Sequence, residues 1–149
     1  LGFTWAMTCA VALGVEGGTE SSVIRHAEGI RSLSYEMASR HLPVKLRGVI
    51  TYRHEYFGFI QDETGGVYFE PQDAEVLPAG RSEDLKPGTL VELEGSTIPG
   101  RYAPCVGRDV RIRVLGTAPL PTPVQVPSIQ LLQPEFDMQW VEVIATVMG

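Results

Sequence analysis

The chain has 149 residues, 44% hydrophobic and 20% charged, which is the composition of one globular domain with flanking segments. Its 16 glycines and 11 prolines exceed the usual share and favour a turn-rich β fold. The formal net charge of −6 counts against a general nucleic-acid-binding protein, which normally carries a basic excess. Two cysteines exclude a disulfide scaffold and a cysteine-based zinc site. No apolar run reaches the roughly 18 residues that span a bilayer.

The N-terminal segment, residues 1–15, is uncharged and largely apolar, and a polar run over residues 16–22 follows it. Its length fits the hydrophobic region of a secretory signal peptide, and Ala12 and Gly14 offer small side chains to a signal peptidase. The alternative is a buried N-terminal helix or strand. We therefore expect an exported protein, on the periplasmic or extracellular face of a bacterial membrane. A first residue other than Met and a last residue within an apolar run suggest a fragment of a longer protein.

Residues 16–40 are expected to form a linker and a short helix. Apolar side chains recur at spacings of three and four, and Ser34 marks the start of a short helix that ends before Pro43. From Val44 the apolar period changes to two, which predicts β-strands. Five strands are predicted, over residues 44–51, 56–62, 67–70, 89–96 and 109–115.

The connections between these strands indicate the fold. Residues 63–66 predict a hairpin turn, and residues 71–87 predict a long surface connection between the third and fourth strands. Five short strands over residues 41–116, with the main irregular connection at that place, are typical of an OB-type barrel. The fold class is therefore all-β: a small five-stranded OB-like barrel with a short flanking helix. An SH3-like barrel or a small sandwich is the alternative.

After the predicted barrel, the sequence pattern of its first strand occurs a second time. Residues 117–127 form a proline-rich, semi-rigid linker. Residues 140–147 resemble residues 43–50 at an offset of 97 positions. Residues 128–149 therefore predict the truncated start of a second OB-like repeat.

Four segments together resemble the OB-like domains in the extracytoplasmic N-terminal region of certain bacterial membrane sensor histidine kinases: residues 42–52, 59–68, 85–95 and 139–143. The motifs Gln-Asp-x-Thr-Gly-Gly and Pro-Gly-x-x-Val-Glu-x-Glu-Gly carry the resemblance, which covers about residues 33–147. In those kinases the domain often follows a signal peptide and repeats in tandem. The resemblance implies the sensor domain of a two-component system. The phosphorylated histidine and the ATP-binding motifs would lie downstream, so we expect no catalytic residue in this segment.

The candidate ligand-binding residues are aromatic and basic side chains near the second and third strands and the loop before the fifth: Tyr52, Arg53, Tyr56, Phe57, Tyr68, Arg101, Tyr102 and Arg108. Ligands of OB folds lie across that strand pair and its flanking loops. Exposed rings there can stack on bases or sugars, and arginines can donate charge-assisted hydrogen bonds. The alternative, which sequence alone favours, is that the rings fill the core or pack against a neighbouring domain.

The remaining polar residues are interpreted structurally. Asp62 is expected to accept backbone N–H groups of the turn Thr64-Gly65-Gly66 rather than to act as a catalytic carboxylate. Three histidines lack metal-ligand spacing: His26, His41 and His54. Cys105 lies in a predicted proline-rich loop without a base and is expected to be inert. We expect no metal and no cofactor.

Two functional hypotheses follow. The first is a periplasmic module of a sensor kinase that binds a small ligand, a peptide or a partner domain and passes strain to a membrane helix. The second is an exported module that binds nucleic acid or oligosaccharide and is attached to a hydrolase or nuclease. The expected partners are an unidentified small ligand or protein domain and the adjacent repeat. The charge disfavours nucleic acid, and membrane contact would come only through downstream segments.

Overall fold

The computed structural model describes residues 22–70, 75–77 and 85–146. The predicted signal segment, with Ala12 and Gly14, lies outside the described residues. The described helices are α1 (Ala27–Arg31) and α2 (Tyr35–Ala38), with short 3-10 turns at Ser128–Gln130 and Pro134–Phe136. The described strands are β1 (Pro43–Arg53), β2 (Gly58–Asp62), β3 (Gly65–Phe69), β4 (Glu75–Leu77), β5 (Thr89–Ile98), β6 (Cys105–Thr117), β7 (Val124–Gln125) and β8 (Val141–Glu142).

Five strands close into a ring in the order β1-β2-β3-β6-β5 and back to β1. Neighbours in the ring are antiparallel except β3 and β6, which meet in parallel where Phe69 lies opposite Val106. One parallel contact closing an otherwise antiparallel sheet is the arrangement of an OB fold. The predicted all-β, OB-like fold is therefore confirmed.

The hydrophobic core lies inside this ring. The predicted alternation in β1 holds, because Val44, Leu46 and Ile50 are buried. Side chains from the other ring strands meet them there, among them Ile60, Val67, Phe69, Val91, Leu93, Val106 and Ile112. Helix α1 packs on β3 and adds Ala27 and Ile30 to the core. Ser34 caps α2, since its hydroxyl oxygen accepts the Met37 N–H at 3.2 Å.

The sequence predicted that the connection over residues 71–87 lies on the surface. In the structure, part of it is buried. Its described part contains β4, which pairs in parallel with β6. Val76 and Leu85 are only 6% and 3% exposed and belong to the core. The reason is that β6 has a second edge away from β5, and pairing with β4 satisfies backbone groups that an open edge would leave unpaired.

Residues 124–142 repeat the way in which the chain enters the barrel. Ile24 forms a parallel bridge with Val44, and its N–H donates to the carbonyl oxygen of Pro43 at 2.9 Å. Val124 pairs in parallel with Val141, and its N–H donates to the carbonyl oxygen of Trp140 at 3.0 Å. Pro43 and Trp140 are equivalent positions at the 97-residue offset. Within the described part of predicted strand 140–147, only Val141–Glu142 is a strand, so the second repeat remains a prediction.

The segment over residues 134–140 docks on the barrel. The Arg31 guanidinium donates to the carbonyl oxygen of Glu135 at 3.0 Å, and the Trp140 N–H donates to Gln61 Oε1 at 3.0 Å. The Tyr68 N–H points to Met138 Sδ at 3.3 Å. Gly66 makes this approach possible, because a Cβ there would lie 1.8 Å from the carbonyl oxygen of Met138.

Candidate functional site

Three aromatic side chains lie side by side on the outside of the barrel, one on each of three neighbouring strands. Tyr52 of β1 is opposite Phe59 of β2, and Phe59 is opposite Tyr68 of β3. The ring centroids are 6.1 Å and 6.0 Å apart. Tyr52 is 46% exposed, and the other two rings are half-buried. We call these three residues the aromatic row.

A β-bulge places Tyr52 in this row. In a regular strand, Tyr52 would share the inward face with Ile50, because side chains alternate with a period of two. The β1–β2 register shifts between Ile50 and Tyr52. Thr51, which lies in between, is buried. The extra residue reverses the alternation and turns Tyr52 outward.

The loop between β1 and β2, residues 54–57, adds rings to one side of the row. The Phe57 ring is nearly parallel to that of Tyr68, with centroids 5.7 Å apart at 16°, and it stacks on His54 at 5.0 Å. Arg53 holds this loop, since its guanidinium donates to the carbonyl oxygens of Phe57 at 3.2 Å and Glu55 at 3.3 Å. Arg53, a predicted ligand donor, thus also shapes the loop that carries the rings.

The loop between β5 and β6, residues 99–104, lies near the Tyr68 end of the row, where it lines a cavity together with Phe57. Gly100 has φ +64°, and a Cβ there would lie 2.2 Å from the carbonyl oxygen of Ala103, so the turn requires glycine. Tyr102 is 82% exposed, and the Arg101 guanidinium lies 5.4 Å from its ring centroid. Between this loop and β3 is a cavity of about 290 Å³, lined by residues that include Phe57, Tyr68, Glu70, Arg101, Tyr102 and Met138.

The polar groups of this cavity have distinct roles. Burial raises the pKa of the Tyr68 phenol, and the nearby Glu70 carboxylate raises that pKa further. The phenol therefore stays protonated at neutral pH and can donate a hydrogen bond. The cavity thus offers a carboxylate, a guanidinium and a phenol between aromatic walls.

Most predicted site residues come together at this end of the barrel. Tyr56 joins the first loop, 54% exposed and with its ring 5.9 Å from His54. Arg108 does not join the group, since it lies on β6 opposite Ser96 and does not line the cavity. None of the five candidate rings belongs to the hydrophobic core. The other part of the interpretation, packing against a neighbouring domain, stays a prediction. Sequence reasoning missed Phe59, which alternates with buried Ile60 and so could have been placed outside.

Asp62 ties the β2–β3 turn to helix α1. Its Oδ1 accepts the Thr64 N–H at 2.8 Å, the Thr64 hydroxyl at 2.6 Å and the Gly65 N–H at 3.1 Å. Its Oδ2 accepts the Ala27 N–H at 2.9 Å, and the Thr64 hydroxyl oxygen accepts the Glu28 N–H at 3.0 Å. The carboxylate is therefore engaged by backbone donors from both elements. Gly65 has φ +149°, a region that favours glycine.

The histidines lie apart from one another. His26 Nδ1 is 3.4 Å from Glu63 Oε1, His41 Nδ1 is 3.1 Å from the Thr97 carbonyl oxygen, and His54 stacks on Phe57. In the described part of the chain, no group of three or more His, Cys, Asp or Glu residues is arranged to hold a metal ion. Nor does any helix in that part have the length and apolar character needed to cross a membrane.

Cys105 is the first residue of β6 rather than part of a loop, and it is 1% exposed. Burial, with a smaller effect of the Glu70 charge, raises the pKa of its thiol to about 12.

A Cys9→Ser variant leaves Cys105 as the single thiol and allows its reactivity to be measured. At pH 8 we expect this thiol to react with an aromatic disulfide reagent at least about 100-fold more slowly in the native protein than in denaturant, because the thiolate is the reactive form. Equal rates would show that the start of β6 opens readily.

Comparisons with known proteins assign no family. No protein-family model matches the chain, and no curated protein matches it. Among solved structures, the hypothetical protein YgiW from E. coli matches at a TM-score of 0.44 and 19% identity, over 63% of this chain and 90% of YgiW. Asparaginyl-tRNA synthetase from Pyrococcus horikoshii, complexed with asparaginyl-adenylate, matches at a TM-score of 0.47 and 18% identity, over 74% of this chain and 26% of the synthetase.

Proposed function

We propose that this chain is a ligand-binding OB-like module that binds its ligand on the aromatic row and in the adjoining cavity. The observation that carries the proposal is the row itself, because three rings in register face away from the core. Contiguous apolar surface outside a core is typical of an interaction site. The row also lies on the strand pair where OB folds bind ligands, next to the loops over residues 54–57 and 99–104.

We propose further that the module is the extracytoplasmic sensor part of a membrane histidine kinase. Support comes from the sequence resemblance, including the Gln-Asp-x-Thr-Gly-Gly turn and the strand motif that follows Pro87. In this proposal the chain itself is not an enzyme, and catalysis belongs to a downstream region.

A second OB-like repeat is part of the same proposal. The repeated entry geometry at Val124 and Val141 supports it. The segment over residues 134–140 could transmit ligand binding in the barrel to the proposed second domain. Met138 lines the ligand cavity while the neighbouring Trp140 N–H is bonded to Gln61 of the barrel. A ligand in the cavity would contact this segment and bias its position.

The binding proposal is tested by NMR titration of the ¹⁵N-labelled chain with four classes of probe: free amino acids, neutral oligosaccharides, nucleotides and short peptides. One class should shift the amide signals of residues 52–59, 66–70 and 100–105. Signals from the far side of the barrel, around Lys45, Ser96 and Asp109, serve as the internal control. Binding that shifts only the control region, or no binding by any class, would contradict the proposal.

The kinase proposal is tested by the sequence of the complete gene. A transmembrane helix followed by a kinase core is the expected result. The second candidate function is an exported oligosaccharide- or nucleic-acid-binding module of a hydrolase or nuclease, which the exposed rings also favour. A catalytic hydrolase domain without a membrane span would select that candidate instead.

A further inference from the structure

We infer that the ligand of this surface is a neutral oligosaccharide, with sugar rings over the aromatic row and one sugar in the cavity beside Tyr68. The inference rests on the proposed ligand-binding function and specifies the chemistry of the ligand.

The charged side chains around the rings are balanced, so this surface has no excess of basic residues. Two carboxylates, Glu55 and Glu70, and two guanidiniums, Arg53 and Arg101, lie on or beside this surface, and Arg53 donates to loop carbonyls. A polyanion such as a nucleic acid needs Lys and Arg side chains to neutralise its phosphates. The surface therefore favours a ligand without a phosphate backbone.

The loop over residues 99–104 disfavours a cationic ligand. An aromatic cage binds a cation through the faces of its rings. Here the chain places its own cation, the Arg101 guanidinium, 5.4 Å from the Tyr102 ring centroid. An incoming ammonium group would meet this positive charge at the entrance to the cavity, which leaves a neutral ligand as the best match.

The polar groups of the cavity favour a hydroxyl-rich ligand. The Glu70 carboxylate only accepts hydrogen bonds, the Arg101 guanidinium only donates them, and the Tyr68 phenol can do both. A ligand that satisfies all three must carry donors and acceptors close together, as sugar hydroxyls do. The C–H face of a sugar ring can at the same time lie on an aromatic face, which an extended polar chain cannot do.

An extended peptide that added a strand to the barrel is disfavoured by the docked segment. Strand addition requires free backbone groups at a sheet edge. Near the row, the Tyr68 N–H is directed to Met138 Sδ, and the Met138 carbonyl lies against Gly66. This part of the β3 edge is therefore covered by residues 138–139.

The test is isothermal titration calorimetry of the full chain with neutral hexasaccharides of glucose, N-acetylglucosamine, xylose and mannose. A dT10 oligonucleotide and a hexalysine peptide serve as charged comparators. At least one neutral glycan should bind, with an affinity that is unchanged between about 50 and 500 mM salt, because no charge is neutralised. Tyr52→Ala and Tyr102→Ala should each weaken binding about threefold to tenfold, the range for loss of one aromatic contact.

The control variant is Tyr35→Ala, which removes a ring that is 74% exposed on α2 and does not line the cavity. It should bind as the unaltered chain does. Thermal unfolding of each variant checks that it is folded. Because Tyr102 is 82% exposed, its replacement should disturb folding less than that of Tyr52.

The outcomes separate the inference from the proposed function. Binding of dT10 or hexalysine at residues 52–59 and 66–70, with no glycan bound, overturns the oligosaccharide inference and leaves the ligand-binding proposal standing. Glycan binding that neither Tyr52→Ala nor Tyr102→Ala weakens overturns the assignment of this surface and hence both. Absence of binding by the four glycans, dT10 and hexalysine overturns the oligosaccharide inference, while the ligand-binding proposal is decided by the NMR titration with amino acids, nucleotides and peptides.

Discussion

Replacing Phe69 with alanine is expected to lower the free energy of unfolding by about 3–5 kcal/mol, the usual cost of truncating a buried phenylalanine. Phe69 is fully buried, and it lies where β3 meets β6 to close the ring. The variant therefore loses core contacts at the one parallel pairing of the ring. Chemical denaturation followed by circular dichroism measures the change. A loss below about 1 kcal/mol would show that the ring does not depend on this side chain.

A double-mutant cycle with Gly58 sharpens this prediction. A Cβ on Gly58 would lie 2.4 Å from the Phe69 ring, so Gly58→Ala alone is expected to cost about 1–3 kcal/mol through overpacking. In the Phe69→Ala background, the methyl group instead enters the vacated space, and the cost of Gly58→Ala should nearly vanish. Simple additivity of the two changes would contradict the close packing of these residues.

Asp62→Ala is expected to lower the free energy of unfolding by about 1–3 kcal/mol, because it removes the acceptor of several partly buried donors. The side chain is only 3% exposed, and its oxygens accept from the turn and from Ala27 of α1. Denaturant unfolding measures the effect on stability. In the complete protein, a signalling assay should show a loss of response only in proportion to the loss of folded protein.

The matched control is the neighbouring Glu63→Ala, whose side chain is 75% exposed. Its effect on stability should stay within about 0.5 kcal/mol, as for most surface substitutions. If Asp62→Ala leaves stability unchanged yet abolishes the response, Asp62 is a functional carboxylate rather than a structural one.

Local patterns predicted the parts of the fold that depend on near neighbours in the chain. The alternation from Val44 to Ile50 identified the inward face of β1, because side chains of a strand alternate between faces wherever the strand is regular. Pro87-Gly88 preceded β5, and Gly65 began β3 directly after the predicted turn, since both features depend on the conformational range of the residues themselves.

The position of Tyr52 shows where such patterns fail. Its parity with Ile50 predicts a place inside the barrel, and only pairing with β2, through the bulge at Thr51, turns it outward. Val76 was likewise assigned to a surface connection, and it is buried because β4 pairs with the second edge of β6. Neither outcome is encoded in neighbouring residues, because each depends on a strand distant in sequence.

The amino-acid pattern alone thus predicted the all-β class, the inward face of the first strand and the aromatic and basic residue types available to a ligand. Which of these side chains meet depends on the folded arrangement of the strands and loops. It placed Tyr52, Phe59 and Tyr68 in one row, assigned Arg53 to holding a loop, and left Arg108 outside the cavity. The physical reason is that a binding surface depends on strand register and loop approach, which long-range backbone pairing sets, whereas a strand pattern depends only on alternation along the chain.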